Sequence, residues 1–162
     1  MKSFRSMVND CLRKGLASNA SSMKNLSIQS YGELRRRTRG NSIPSYFCLT
    51  AISKAAGILG ARKKSLRGGI ETRNPHLGKP FLISCYYFRI KDKCLVFSVS
   101  KGKRTRIPLT NHTLESIKDL EVRSFTVSPT SLSLTFRKEV EHYVPKSFLG
   151  GRSKRRERHL RE

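Results

Sequence analysis

The first 70 residues carry apolar side chains at the spacing of α-helices. Between residues 4 and 16 they recur three and four positions apart, which is typical of an amphipathic helix. A second stretch, LSIQSYGELRRR, predicts a short helix that its internal glycine weakens. A third, from Ser42 to Gly68, places small and apolar residues in helical register and predicts a closely packed helix.

After a stretch rich in proline and glycine, the pattern becomes that of β-strands. Short aromatic and β-branched runs predict strands at FLISCYYFRI, CLVFSV, RTRIPL, VRSFTV and SLSLTF. Between the third and fourth runs, NHTLESIKDL predicts one short helix capped by Asn111 or Thr113. In the last run, Leu132, Leu134 and Phe136 alternate with polar residues, which predicts one buried strand face.

This order of elements predicts an α+β fold. We expect a helical module over residues 1–70 and an antiparallel, incomplete β-barrel over residues 71–140. Residues 141–162 contain GGRSKRRERHLRE, which has no apolar face and predicts a basic, disordered tail.

The charge balance narrows the class of partner. The chain has 34 Lys and Arg against 11 Asp and Glu, which gives a formal net charge of +23. Such a chain is expected to bind a polyanion, and nucleic acid is favoured over a membrane because no segment has the aromatic anchors of an interfacial helix. No run approaches the roughly 20 apolar residues of a membrane span, and the N-terminus has no apolar signal region. A cytoplasmic protein is expected, associated with the nucleoid if it binds DNA.

Basic residues gather in four clusters, each at the end of a predicted helix, in a strand connection or in the tail. They lie at Arg35 to Arg39, Arg62 to Arg67, Lys101 to Arg106 and Arg152 to Arg161. A single cluster is more often a solvated face, but four of them beside so few acidic residues favour phosphate contacts. The candidate nucleic-acid-binding residues are Arg35, Arg36, Arg37, Arg62, Lys63, Lys64, Lys101, Lys103, Arg104, Arg106 and Arg123.

Three aromatic residues stand together at Tyr86, Tyr87 and Phe88. Rings in a basic protein can stack on unpaired bases, whereas strand alternation requires that one or two of these three face the core. For any one of these rings, packing in the core is favoured over stacking on a base.

The residues of metal and covalent catalysis are scattered. The three aspartates, Asp10, Asp92 and Asp119, do not follow apolar strands, and no hydrolase motif is present. The four cysteines form no CxxC pair and are expected to be small buried residues. The sequence therefore predicts no metal site, no cofactor and no catalytic residue.

Five segments resemble a known family when they are taken in order: FRSMVNDCLRKGL, YFCLTAISKAAGIL, KPFLISCYYFRIKDKCLVFSV, IPLTNHTLESI and VRSFTVSPTSLSLTFRKEV. They resemble the N-terminal half of TnpB (OrfB) proteins of insertion sequences, over roughly residues 4 to 140. The resemblance implies an RNA-guided endonuclease architecture. Its helical recognition module would be residues 4–67, and its wedge barrel residues 81–138. Together these units would hold structured guide RNA and an RNA–DNA duplex.

The chain departs from that family after LTFRKEV. No strand ending in Asp follows, although a nuclease domain of RuvC type would begin with one, and the family's opening wedge strand has no counterpart before Met1. The expectation is a truncated transposase fragment that binds nucleic acid and is not an enzyme. The alternatives are an endonuclease that relies on carboxylates from another chain and an unrelated RNA-binding protein of the ribosomal kind. The sequence leaves open whether the fragment has any function and what its oligomeric state is.

Overall fold

The computed structural model describes residues 1–40, 42–100 and 102–139, and the predicted tail at 141–162 lies outside this part. Helices come first and strands follow. The helices are α1 (Lys2–Ala17), α2 (Met23–Gly40), α3 (Tyr46–Arg67) and α4 (Asn111–Ser116). The strands are β1 (Leu82–Ser84), β2 (Phe88–Lys91), β3 (Cys94–Ser100), β4 (Lys103–Pro108), β5 (Glu121–Val127) and β6 (Leu132–Arg137).

The first three helices pack against one another around α3. The apolar stripe of α1, which includes Val8 and Cys11, is fully buried, as its spacing predicts. Gly15 lets the helices approach closely. A Cβ atom at this position would collide with Leu59 Cδ1, would lie 2.8 Å from the carbonyl oxygen of Ala20 and would lie 2.9 Å from Leu26 Cδ2. The end of α1 therefore has no room for a side chain.

Helix α2 runs for 18 residues and is longer than its sequence pattern predicts, because it extends beyond both ends of LSIQSYGELRRR; Gly32 does not interrupt it. Leu26, Ser30, Leu34 and Thr38 lie four positions apart along it and are all buried. A continuous buried face of this kind stabilises a helix through tertiary packing and offsets the roughly 1 kcal/mol that an internal glycine costs.

The strands form two antiparallel sheets of three strands each, in the orders β1-β5-β6 and β2-β3-β4. The run FLISCYYFRI, predicted as one strand, is divided between them. Its first half pairs with β5, and its second half pairs with β3. The chain bends at residues 85–87, where Tyr87 has a positive φ of 51°. The physical reason is that the two halves have different hydrogen-bonding partners, which strand alternation does not record.

The two sheets share an aromatic core. Phe125 of β5 is fully buried and lies between two rings of the other sheet. Its ring centroid is 5.2 Å from that of Phe88 and 4.7 Å from that of Phe97. Phe4 of α1 contacts Phe81 at 5.5 Å between centroids, so the helices and the sheets bury their apolar faces in one continuous core.

The predicted α+β class, with helices followed by antiparallel strands, is confirmed. Within the described residues the two sheets do not close into a barrel, which agrees with the predicted incomplete barrel. No helix in this part of the chain has both the length and the apolar character needed to cross a membrane.

Three local predictions need correction. Helix α4 is capped by Thr110, whose side-chain oxygen accepts a hydrogen bond from the Thr113 amide at 3.2 Å, and not by Asn111 or Thr113. The predicted buried face of β6 is only half-buried at Leu132 and Leu134.

At the end of β6, Phe136 is 41% exposed, because this strand forms the edge of its sheet.

Cys11 and Cys48 are buried as predicted, whereas Cys94 is half-buried and Cys85 is exposed. Cys85 lies in the bend between the two sheets, where the chain has left the core.

Candidate nucleic-acid interface

Two surface grooves meet at Tyr87. The first, which we call the helix groove, has a volume of about 490 Å³ and lies between the end of α2, the start of α3 and β3. The second, the sheet groove, has a volume of about 310 Å³ and lies over β2, β3 and β4. The helix groove is bordered by Arg35 and Arg39, and the sheet groove by Arg89 and Arg104.

Helix geometry places the two arginines of the helix groove. Arg35 and Arg39 are one turn apart near the C-terminal end of α2, so their side chains share a face. Thr38, which also lines the groove, is buried beneath them. The C-terminal end of a helix carries partial negative charge, which favours cationic side chains there by roughly 0.3–1 kcal/mol. Of the two, Arg39 lies in the last turn and gains this stabilisation.

Strand register places the arginines of the sheet groove. The turn between β2 and β3 has two central residues with positive φ, Asp92 at 50° and Lys93 at 57°, as in a tight hairpin. This turn fixes Arg89 opposite Val96, and Val96 lies opposite Arg106 on β4. Cross-strand partners lie on the same sheet face, so two arginines flank Val96 on one outer face.

Two residues further along β3, the register aligns Ser98 with Arg104 of β4. Since Arg104 and Arg106 are two residues apart in a strand, they point to the same side. The opposite side of this sheet carries Phe88 and Phe97, which face the core. The outer face of the second sheet therefore presents three arginines: Arg89, Arg104 and Arg106.

The linings of both grooves lack compensating negative charge. Among the described residues, neither lining includes an aspartate or a glutamate. The lining of the helix groove also includes four serines: Ser42, Ser45, Ser98 and Ser100. Cations without nearby acids attract phosphate, and hydroxyl groups can donate to phosphate oxygens or to base edges. The combined surface suits a chain of phosphates.

Tyr87 stands between the grooves and lines both. The residue is 79% exposed, and its ring centroid is 5.2 Å from that of Tyr46. Tyr46 is itself fixed, because its hydroxyl donates a hydrogen bond to the Ser98 carbonyl oxygen at 2.7 Å. Burial raises the pKa of Tyr46 to about 12, so this donor keeps its proton throughout the physiological range.

Four of the predicted binding residues have partners within the protein. Arg37 donates to Asp10 at 2.5 Å and to the Ser6 hydroxyl at 2.8 Å, which ties α2 to α1. Three further residues make single contacts of 3.1 to 3.2 Å, and these pairs are Arg62 with Asn74, Arg106 with Asp92, and Arg123 with Glu121. Arg37 and Arg62 link elements of the fold, whereas Arg106 and Asp92 form an exposed ion pair on the surface.

The remaining predicted residues fall into four groups. Arg35 and Arg104 line the two grooves, so the structure brings together members of the first and third basic clusters. Lys103 lies on β4 next to Arg104, and strand alternation directs it to the other side of the sheet.

Outside both groove linings lie Arg36 on α2 and the α3 lysines Lys63 and Lys64. Lys101 lies outside the described residues.

Sequence reasoning missed Arg89 as a candidate. It stands alone between Phe88 and Ile90, and no basic cluster marks it. The alternation of FRIK, with Phe88 and Ile90 half-buried and Arg89 exposed, is the signal that could have found it. Strand alternation predicted that one or two of Tyr86, Tyr87 and Phe88 face the core, and Phe88 alone packs against it. Tyr86 is 45% exposed and Tyr87 79% exposed, because both lie in the bend.

The described residues contain no group of three or more His, Cys, Asp or Glu side chains that could hold a metal ion. What the surface offers is cations, hydroxyl groups and an exposed ring, and the chemistry it suits is binding. Comparisons with protein-family models, with curated proteins and with solved structures found no match to the chain.

Proposed function

We propose that the protein binds nucleic acid through the helix groove and the sheet groove, holding guide RNA, DNA or both by phosphate contacts. One observation carries this proposal: two arginine-bordered grooves without acidic lining residues meet at an exposed tyrosine. The formal charge of +23 supports it, because a polyanion relieves the repulsion among so many cations.

The resemblance to TnpB proteins gives the proposal its more specific form. The chain would be the recognition and wedge portion of such a protein, without nuclease activity of its own. Two features support this form. The helical part ends at Arg67 and antiparallel sheets follow, and the helix groove is lined by residues of both parts. A surface shared between helices and sheets can contact the backbone of a structured RNA or of an RNA–DNA duplex through its shape.

The test is a titration of the purified chain with labelled RNA, DNA and RNA–DNA duplexes at several salt concentrations. The logarithm of the affinity should fall linearly with the logarithm of the salt concentration, with a slope of about 0.7 to 0.9 for each phosphate neutralised. The groove variant carries Arg35→Glu, Arg39→Glu and Arg104→Glu. We expect it to bind at least tenfold more weakly than wild type, by roughly 1.4 kcal/mol or more, and with a smaller salt slope.

The matched control carries Lys24→Glu, Arg73→Glu and Lys118→Glu, which changes the net charge equally at exposed positions outside both grooves. Equal weakening of the groove and control variants would leave only nonspecific attraction and would refute the proposed site. Incubation with Mg²⁺ and the same substrates should give no cleavage. Cleavage by the chain alone would replace the binding proposal with an endonuclease.

A further inference from the structure

We propose that Tyr87 is a stacking platform for one unpaired base, so that the protein prefers nucleic acid with a single-stranded segment over a continuous duplex. The inference deepens the proposed function and rests on it. It starts from the exposed ring of Tyr87, which is not part of the hydrophobic core.

The backbone at Tyr87 is held in a conformation that a tyrosine adopts at a cost. Its φ of 51° lies in the left-handed region, which glycine and asparagine enter far more readily. The bend there joins β1 of one sheet to β2 of the other. Residues in such conformations concentrate at binding sites, where the surrounding structure holds them in place. A smaller residue would make the same bend, so the bend does not explain the ring.

The ring is oriented before any ligand arrives. Tyr46 supports it from the protein side, with 5.2 Å between the ring centroids and 38° between the ring planes. Tyr46 in turn contacts Phe47, at 4.4 Å between centroids, and is anchored to Ser98 by its hydroxyl. A supported aromatic ring loses little conformational entropy when a ligand stacks on it. With 79% of Tyr87 exposed, the area for that contact is open.

The charges on the two sides of Tyr87 define what kind of ring would stack there. Arg35 and Arg39 border one groove and Arg89 and Arg104 the other, with Tyr87 common to both. A nucleotide strand that crosses Tyr87 would place phosphates in both grooves and its base on the ring. Proteins that bind single strands combine these two elements, a basic groove and an aromatic platform.

A base within a duplex cannot use this platform, because its two faces already stack on neighbouring base pairs. Only an unstacked base presents a face to a protein side chain, as in loops, bulges and single strands. The geometry therefore points to a strand with at least one unpaired nucleotide. Ribose and deoxyribose strands share this chemistry, and the experiment below separates them.

The full chain is titrated with a short single-stranded RNA, with the DNA of the same sequence and with the corresponding RNA duplex. Tyr87→Leu keeps an apolar side chain but removes the platform. We expect it to weaken single-strand binding about tenfold and to leave duplex binding unchanged, since stacking on one aromatic ring is lost. Tyr87→Phe should retain wild-type affinity. A 2-aminopurine probe in the single strand should be quenched by wild type and by Tyr87→Phe, but not by Tyr87→Leu.

Two further variants make the result decisive. Tyr86→Leu is the neighbouring control, because Tyr86 is exposed but lines a different groove along α3. It should bind as wild type does. Tyr87→Asn suits the left-handed backbone, should melt near the wild-type temperature and should show the same selective loss.

Single-strand binding by Tyr87→Leu at the wild-type level, or equal losses in Tyr86→Leu, would overturn the inference and leave the proposed function standing. If the wild-type protein binds none of the probes, the proposed function and the stacking inference are both refuted. Preference for RNA or for DNA identifies the strand, and either preference supports the platform if it depends on Tyr87.

Discussion

The hydroxyl of Tyr46 donates a hydrogen bond to the main-chain carbonyl oxygen of Ser98 at 2.7 Å, and this bond joins the first turn of α3 to strand β3. Both residues line the helix groove, and Tyr46 also supports Tyr87. A single contact thus connects the helical part, the second sheet and the exposed ring. Removing this hydrogen bond should lower both the free energy of unfolding and the affinity for nucleic acid.

Tyr46→Phe removes this hydroxyl and leaves the ring in place. We expect the free energy of unfolding to fall by about 1 kcal/mol, because a part-buried carbonyl loses its hydrogen bond. Binding of single-stranded RNA should weaken as well, since Tyr87 would lose part of its support. Thermal or chemical unfolding and a titration measure the two effects. Tyr31→Phe, at a half-buried helix tyrosine, is the control, and an equal effect there would contradict a specific role for the Ser98 contact.

Gly15→Ala should destabilise the helical part. The new methyl group would collide with Leu59 and press on the carbonyl oxygen of Ala20, which belongs to the backbone and cannot rotate away. Overpacking of this kind costs about 1–3 kcal/mol in the free energy of unfolding. Urea denaturation checks the value. Gly32→Ala in α2 has open space around it and should instead stabilise the protein by about 0.5–1 kcal/mol. Similar effects at both positions would contradict the close approach.

Cys11 should make stability depend on pH in the alkaline range. Burial raises the pKa of its thiol from 9.0 to about 11, so between these values the unfolded chain loses a proton that the folded chain keeps. The free energy of unfolding then falls as pH rises from 9 to 11 and the effect levels off above that range.

Comparison with Cys11→Ala isolates this contribution, because both proteins share every other titrating group. The difference in unfolding free energy between them should change by about 1 kcal/mol per pH unit within the window. Below pH 9 the difference should be constant. A difference that stays constant from pH 8 to 11 would show that the Cys11 thiol ionises as easily in the fold as in the unfolded chain.

Asn9 should control the order of the connection between α3 and β1. Its side-chain amide donates to the Leu77 carbonyl oxygen at 3.0 Å, and its side-chain oxygen accepts from the Leu77 amide at 2.9 Å. Asn9→Ala removes both bonds, each worth about 1 kcal/mol. Hydrogen exchange at Leu77 and its neighbours should accelerate, while exchange in the centre of α3 stays slow. Asn9→Asp keeps the acceptor and should give an intermediate rate. Unchanged exchange in both variants would contradict this contact.

The helices and the fold class could be predicted because apolar spacing directly records which face of an element is buried. The division of FLISCYYFRI could not, since alternation describes a strand's two faces and not the strand beside it. Tyr87 was predictable as an aromatic residue but not as an exposed one. Its left-handed backbone has no glycine to mark it, and its exposure follows from a bend that only the pairing of β1 and β2 creates.

The candidate site was predictable in part. Arg35 and Arg104 belong to clusters that the sequence displays, but nothing in their spacing shows that they border two grooves with a common residue. Arg37 was indistinguishable from its neighbours in sequence, and only the position of Asp10 on α1 identifies it as a link between helices. Long-range pairing decides which cations are available, and a sequence records such pairing only indirectly.

The placement of β1 also has a consequence for the order of folding. Leu82 pairs with Val127, whereas β2, β3 and β4 pair with their neighbours along the chain. Local hairpins close early because little loop entropy is lost, and distant pairings close late. During synthesis, the helices and the second sheet can form before β5 is available to pair with β1. Until β5 emerges from the ribosome, the backbone hydrogen-bonding groups of β1 have no partner strand. A chaperone or a second nascent chain would bind β1 during this interval.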